Sequence, residues 1–276
     1  MSDQWDFPSG DLMRGKRGLV MGVANQNSIA WGISRQLAAQ GAELAFTYQG
    51  ETLERRVRPL VTSLGFDFMI PLDVTQDDEM ERAFGEIKAK WGGLDFLVHS
   101  IAFAGKDELQ GSMVANTSRA GFARAMDISV YSFIDAANRA SELMPSKEEG
   151  GGSIICLTYL GAERTVPSYN VMGVAKAGLE AATRYAARDL GKDGIRVNAI
   201  SAGAMRTLSL AGIRGGKSLM GTGKDWSFLK ENTSMEGVAG CALYLLSPLG
   251  RSIAGEIIHV DAGFHAIGVP DMEPES

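Results

Sequence analysis

The chain alternates short apolar runs with longer helix-forming stretches over almost its whole length, and this rhythm limits its fold more than any other feature. Runs at 17–21, 42–48, 66–72, 96–99, 153–159, 196–201 and 256–260 read as buried strands. Stretches at 28–40, 51–64, 76–91, 118–144, 168–190 and 235–246 read as helices. Short strands alternating with helices form βαβ units and a parallel sheet. Right-handed crossovers then give an α/β, doubly wound sheet of about seven strands flanked by helices, with ligands above the strand C-termini. A single domain over residues 1–276 is expected, because 45% hydrophobic and 22% charged residues suit one large core. One connection breaks the rhythm. Residues 202–233 carry Gly203, Gly212, Gly215, Gly216, Gly221 and Gly223. So long a connection is either a lid or a disordered insert, and its place after a strand C-terminus favours a substrate-binding lid.

Charge and cysteine usage exclude several classes. A net charge of −6 and a pI near 5.2 argue against a nucleic-acid surface. Cys156 and Cys241 both stand in apolar runs and read as reduced core residues of a cytoplasmic protein. The N-terminus has no apolar signal core, and no apolar run is long enough to span a membrane. Three histidines and two scattered cysteines make no metal cluster.

The first βα unit reads as a Rossmann-type nucleotide-binding half. Its strand runs into Gly22–Val23–Ala24, and Ser28–Ile29–Ala30–Trp31–Gly32 opens the following helix. The spacing is not G-x-G-x-x-G, but the physical needs are met. Small residues let the backbone approach a pyrophosphate, and a helix N-terminus offers free N–H groups. Gly32 is expected to bring helix and strand close. Strand two ends at Thr47–Tyr48–Gln49, so Gln49 stands where a ribose-binding acid is expected. Arg55 and Arg56, a turn further on, either reach a 2′-phosphate or are surface charges. Strand three ends at Leu72–Asp73–Val74, where Asp73 either meets an adenine amino group or closes a turn. Ser100, Ile101 and Ala102 end strand four and leave room for a ligand against the backbone, and His99 before them reads as a structural hydrogen-bonder.

Tyr159, Tyr169 and Lys176 follow as a trio. Tyr159 ends a strand, and Ser168 is expected to cap the next helix. Tyr169 and Lys176 are close to two turns apart, which puts them on one face about 10 Å apart. A phenol and an ammonium so placed can grip two parts of one extended ligand.

With these residues the chain resembles the short-chain dehydrogenase/reductase superfamily, and within it the bacterial type I enoyl-acyl-carrier-protein reductases. The resemblance runs from about 12 to 267. It rests on GVANQNSIAWGIS at 22–34, LDV at 72–74, HSIAFA at 99–104, YNVMGVAKAGLEAATRYAARDLG at 169–191, RVNAISAG at 196–203 and GEIIHVDAGF at 255–264. Alcohol- and ketone-acting relatives use Y-x-x-x-K, but Met172 stands four residues before Lys176. Tyr169 instead fits the enoyl reductase spacing Y-x6-K, with Tyr159 ten residues earlier. Asp127 stands where the superfamily carries an asparagine.

The resemblance implies NADH-dependent reduction of the trans-2 double bond of enoyl-acyl-carrier-protein thioesters in fatty acid biosynthesis. It gives Tyr169 the enolate oxygen, Lys176 the nicotinamide ribose, and Tyr159 the substrate pocket or the α-carbon proton. It assigns Gly22, Ser28, Ile29, Gln49, Asp73, Val74, Ser100, Ile101, Ala102, Ile200, Gly203 and Thr207 to the cofactor. It assigns Ala104, Met172 and Met205 to the substrate, while Met205, Met220, Trp226 and Phe228 either line the lid or are ordinary core. It also implies a homotetramer and an acyl carrier protein as partner. Arg206, Arg214, Lys217 and Lys224 are candidates to meet that acidic partner, against a default reading as solvated surface. After the lid, Lys230–Glu231–Asn232 departs from the proline and basic residue expected there. NADH is expected over NADPH, because Thr47 to Glu51 include no basic residue. Two rivals are weighed. A carbonyl reductase is disfavoured by Met172, and a non-catalytic dinucleotide sensor by the retention of both Tyr169 and Lys176.

Overall fold

A computed structural model describes residues 6–207 and 216–269, with the side chains of 216–219 left out of account. Seven strands form one sheet: β1 (Arg17–Met21), β2 (Glu43–Tyr48), β3 (Met69–Pro71), β4 (Phe96–His99), β5 (Ser153–Thr158), β6 (Arg196–Ala202) and β7 (Ile257–Val260). Their order is β3-β2-β1-β4-β5-β6-β7, and every pairing is parallel. The order reverses between β1 and β4, which opens a crevice above the ends of those two strands. The central strands β4 and β5 are buried along their whole length, as a sheet covered on both faces requires.

Two apolar layers fill the space on either side. One packs α3 (Asp77–Trp91), α7 (Ser132–Ser141) and α8 (Asn170–Gly191) on the sheet through residues such as Phe84, Phe133 and Leu179. The other packs α1 (Ile29–Ala39), α2 (Gly50–Ser63) and α10 (Met235–Leu246) through Ile33, Val57 and Leu245. Gly18 has no room for a side chain, since a Cβ there would stand 1.8 Å from the Phe96 ring. That ring lies over Gly18, its partner on the neighbouring strand.

Four sequence expectations need correction. Gly32 does not bring α1 to the strand. A Cβ there would meet the Met235 side chain at 2.2 Å, so this glycine lets α1 and α10 pack. The expected helix 118–144 is three pieces: α6 (Arg119–Met126), a π-helical turn (Asp127–Tyr131) and α7. The strand expected at 66–72 keeps only Met69–Pro71. Ser168 does not cap α8. Its φ is +60°, and Tyr169 takes the cap position without a side-chain hydrogen bond. Two short helices, α4 (Lys106–Leu109) and α5 (Met113–Asn116), lie between β4 and α6. Part of the expected lid, 208–215, lies outside the described residues, with Arg214 in it. The described remainder holds α9 (Gly216–Trp226) and the turn that leads to α10. Among the described residues, no helix is long and apolar enough to cross a membrane.

Candidate active site

Because all seven strands are parallel, their C-terminal ends lie on one side, and the sequence-predicted residues gather there. Gly22 follows β1 with φ +102°, and a Cβ on it would stand 2.0 Å from the Ser100 carbonyl oxygen. Only glycine allows this turn at the β1–β4 crevice. The Ser28 hydroxyl accepts hydrogen bonds from the N–H groups of Ala24 and Asn25, both at 3.0 Å, and so pins the loop onto the start of α1. The first N–H groups of a helix have no partner within it. At α1 these include Ile29 and Ala30, and they offer donors and partial positive charge to an anion.

The ends of β2 and β3 are joined by a contact the sequence did not reveal. Gln49 Nε2 donates to Asp73 Oδ2 at 2.8 Å. The other Asp73 oxygen accepts from the Thr75 N–H and hydroxyl, so the turn role of Asp73 is real. Burial pushes the Asp73 carboxyl up, but its bonds from Thr75 and Gln49 win and hold it below the usual range. Arg55 pairs with Glu51 at 3.0 Å on the surface of α2, so the two charges flanking this corner are turned toward each other.

Tyr159, Tyr169 and Lys176 are brought together between the end of β5 and the start of α8. Lys176 Nζ donates to the Leu157 carbonyl at 2.7 Å, and the side chain is buried. One of its three protons is thereby used. Burial pulls its pKa down from 10.5 to about 8, opposed by Cys156 and Glu180. It remains mostly an ammonium at neutral pH. The rings of Tyr159 and Tyr169 meet edge to face, with centroids 5.0 Å apart. Burial raises the pKa of both phenols, with further upward pressure on Tyr159 from Asp261. Both therefore stay protonated and able to donate.

Several positioning groups escaped the sequence reading. The Tyr169 ring rests on Gly161, where a Cβ would come within 2.3 Å of it. A Cβ on Gly173 would stand 2.7 Å from the Gly161 carbonyl oxygen. A glycine inside a helix signals a close approach, and Gly173 carried that signal unread. Thr158 donates to Glu180 Oε1 at 2.8 Å, one helical turn beyond Lys176, and burial raises the Glu180 carboxyl. Ser129, in the π-helical turn, accepts from the Phe103 N–H at 3.0 Å and lies 4.0 Å from Met172 Sδ. His99 is structural: Nε2 meets the Ser132 hydroxyl at 2.9 Å, and burial, then the Lys176 charge, drops its pKa to about 3.

The remaining residues line the same end of the sheet. Ile200 is buried in β6, and Gly203 follows it where a Cβ would strike Thr233 Oγ1 at 2.0 Å. The Thr207 N–H donates to the Met205 carbonyl at 2.8 Å. Met172 and Met205 are both buried. Val74, Ile101 and Ala104 are half-buried against the core. Met220 is half-buried, while Trp226 and Phe228 are exposed. The unexpected stretch 230–232 is held by Ser227, whose hydroxyl accepts from the Glu231 N–H at 3.2 Å, and by the Leu229 N–H on the Ala262 carbonyl at 3.2 Å. Lys230 itself has φ +54° and donates to the Asp225 carbonyl at 3.1 Å. A turn built this way has no need of proline.

A crevice with a glycine turn, a helix N-terminus, a carboxamide–carboxylate corner and a buried ammonium fits an extended dinucleotide, and the paired phenols fit an acceptor whose oxygen gains charge. The fold and site define a dinucleotide-dependent reductase of the doubly wound type. A family model described as enoyl-(acyl carrier protein) reductase matches residues 22–265. An enoyl-[acyl-carrier-protein] reductase [NADH] of Rhizobium meliloti (strain 1021) is 52% identical over 262 residues, covering 95% of this chain and 96% of its own length. Two solved structures are close in shape. The reductase of Anaplasma phagocytophilum in complex with NAD has a TM-score of 0.91 at 48% identity, covering 97% of this chain and all of its own. That of Bacillus cereus, with NADP+ and indole naphthyridinone, has a TM-score of 0.90 at 49% identity over 94% of this chain and all of its own. The chain belongs to the enoyl-(acyl carrier protein) reductase family.

Proposed function

We propose that the chain reduces the trans-2 double bond of enoyl thioesters carried on acyl carrier protein, using NADH, with Tyr169, Tyr159 and Lys176 as its working side chains. The observation that carries this reading is the Tyr169 phenol: buried, kept protonated, seated on Gly161 and set edge to face against Tyr159. NADH, when bound, supplies the hydride that goes to the β-carbon. Negative charge then gathers on the thioester oxygen. Tyr169 donates a hydrogen bond to that oxygen, which stabilises charge present chiefly in the transition state. Lys176 holds the ribose hydroxyls with its remaining protons and keeps the local field positive. Tyr159 shapes the pocket and stands near enough to Tyr169 to assist protonation at the α-carbon. Gly22, Ser28 and Ile29 receive the pyrophosphate, Gln49 the adenine ribose, and Asp73 and Val74 the adenine. Ser100, Ile101, Ala102, Ile200, Gly203 and Thr207 border the nicotinamide half, while Ala104, Met172 and Met205 border the acyl group.

The proposal treats 1–276 as one reductase domain with a substrate-side segment at about 202–233. It places the enzyme in the cytoplasm as a homotetramer. Exposed Tyr131, Ile134, Val174 and Tyr185 give copies of the chain apolar surface to share. The test compares crotonyl thioester, a ketone and no substrate, following NADH oxidation. The thioester alone should be turned over. Tyr169→Phe should cut the rate about a hundredfold and leave NADH affinity intact. A Tyr169→Phe enzyme that binds NADH as poorly as Lys176→Ala would overturn the division of roles.

A further inference from the structure

Tyr169 stands between two residues with left-handed backbone. Ser168 has φ +60° and Asn170 has φ +26°, and neither is glycine. An L-residue adopts such angles only where its surroundings hold it there, and asparagine tolerates them better than most. The holder of Asn170 is visible. Its Nδ2 donates to the Gly111 carbonyl at 3.3 Å, across 59 residues of sequence. Gly111 itself has φ +68°, so its carbonyl is presented by a turn that glycine makes easy.

Gly111 belongs to the segment that leaves Ala104 and carries α4 and α5. Other ties fix that segment independently of Tyr169. The Ser118 hydroxyl donates to Glu108 Oε1 at 3.1 Å, and Asn116 Nδ2 donates to the Gln110 carbonyl at 2.8 Å. Leu109 packs on the same apolar layer as Tyr169 and Met172. The segment is thus a wall held at α6, and Asn170 is its link to the first turn of α8. The Met172 N–H in turn bonds to the Tyr169 carbonyl at 2.9 Å. Any rotation at Asn170 therefore turns the backbone that aims the phenol.

We propose that Asn170 is a positioning residue: by tying the 105–117 wall to the start of α8, its carboxamide holds the left-handed backbone that aims Tyr169 at the thioester oxygen. Without the tie, Asn170 relaxes toward helical φ and the phenol swings off its seat on Gly161. The inference rests on the reading of Tyr169 given above, and it adds a residue outside those proposed for cofactor or substrate.

The decisive variant is Asn170→Asp. It keeps the shape and the tolerance for left-handed backbone, and an acid in the first turn of a helix favours folding. It lacks the N–H that donates to Gly111. Asn170→Gly is the second variant, removing the tie and the backbone strain together. Two readouts are taken: amide hydrogen exchange over 105–117, and steady-state rates with separate NADH binding. In both variants, exchange near Gly111 should rise roughly threefold to tenfold, and kcat should fall by a similar factor, as expected for one lost hydrogen bond. NADH affinity should stay at the wild-type value. Unchanged exchange would overturn the tie. Faster exchange with wild-type kcat would overturn its role in aiming Tyr169, as would a parallel loss of NADH affinity. A wild-type protein that fails to reduce the enoyl thioester would sink the functional reading instead, and the exchange data would still decide whether the tie exists.

Discussion

Replacing Lys176 with methionine should weaken cofactor binding while raising the thermal stability of the free protein at neutral pH. The side chain is 6% exposed, and its pKa falls from 10.5 to about 8 chiefly because burial disfavours the charged form. At about 1.4 kcal/mol per pH unit, keeping the ammonium there costs the fold roughly 3 kcal/mol. Methionine fills a similar volume without a charge, but it leaves the Leu157 carbonyl without its donor, a loss of about 1–2 kcal/mol. The balance favours the variant by about 1–2 kcal/mol, or roughly 3–6 °C in melting temperature. The sign depends on pH. Below about 8 the lysine is protonated in both folded and unfolded chains, and the full cost is present. Between about 8 and 10.5 the folded chain sheds its proton first, so the wild type gains stability as pH rises. The variant's advantage should therefore shrink and reverse by pH 10. Thermal melts of the free protein at pH 7 and pH 10 read this directly. Titration with NADH at pH 7 should show at least a tenfold weaker affinity, the worth of a charge-assisted hydrogen bond. A variant less stable than the wild type by the same margin at both pH values would refute the reasoning, because the ammonium would then carry no burial cost.

Cofactor choice is the next test: catalytic efficiency with NADH should exceed that with NADPH at least tenfold, because no basic residue stands at the end of β2, where Gln49 pairs with Asp73, and Arg55 is paired with Glu51. Equal use of both cofactors would mean that an arginine of α2 swings into the site. Gly22→Ala should cost more than about 2 kcal/mol in denaturant unfolding, since φ +102° and a 2.0 Å approach to the Ser100 carbonyl both oppose a side chain.

The fold was legible because its signal is repeated. Most of the seven strands are apolar runs followed by a helix-forming stretch, and parallel pairing leaves few other arrangements. What the sequence hid was set by distant partners. Nothing local marks the break of 118–144 into α6, a π-helical turn and α7, which places Ser129 on Phe103 and Ser132 on His99. Ser168 carries a good capping side chain, yet its backbone is turned left-handed at the entrance to Tyr169. Gly32 was read against the strand of its own βα unit, but its neighbour, Met235, lies some two hundred residues on. The grouping of Tyr159, Tyr169 and Lys176 was legible because they are close in sequence. Gln49 and Asp73 were each singled out, but their pairing depends on β2 and β3 lying side by side.

The strand order also sets a timetable for folding. β1 takes β2 as one neighbour, with Gly18 opposite Leu44, and β4 as the other, with Gly18 opposite Phe96. The first pairing needs only a short stretch of chain, whereas the second waits until the ring of Phe96 has left the ribosome. Until then β1 presents an open, largely apolar edge, with a glycine where no side chain can guard it. Non-local pairing of this kind is slow, and an edge that waits is open to the wrong partner. The seam between β1 and β4 is thus both the crevice at the strand-order reversal and an edge left open during synthesis.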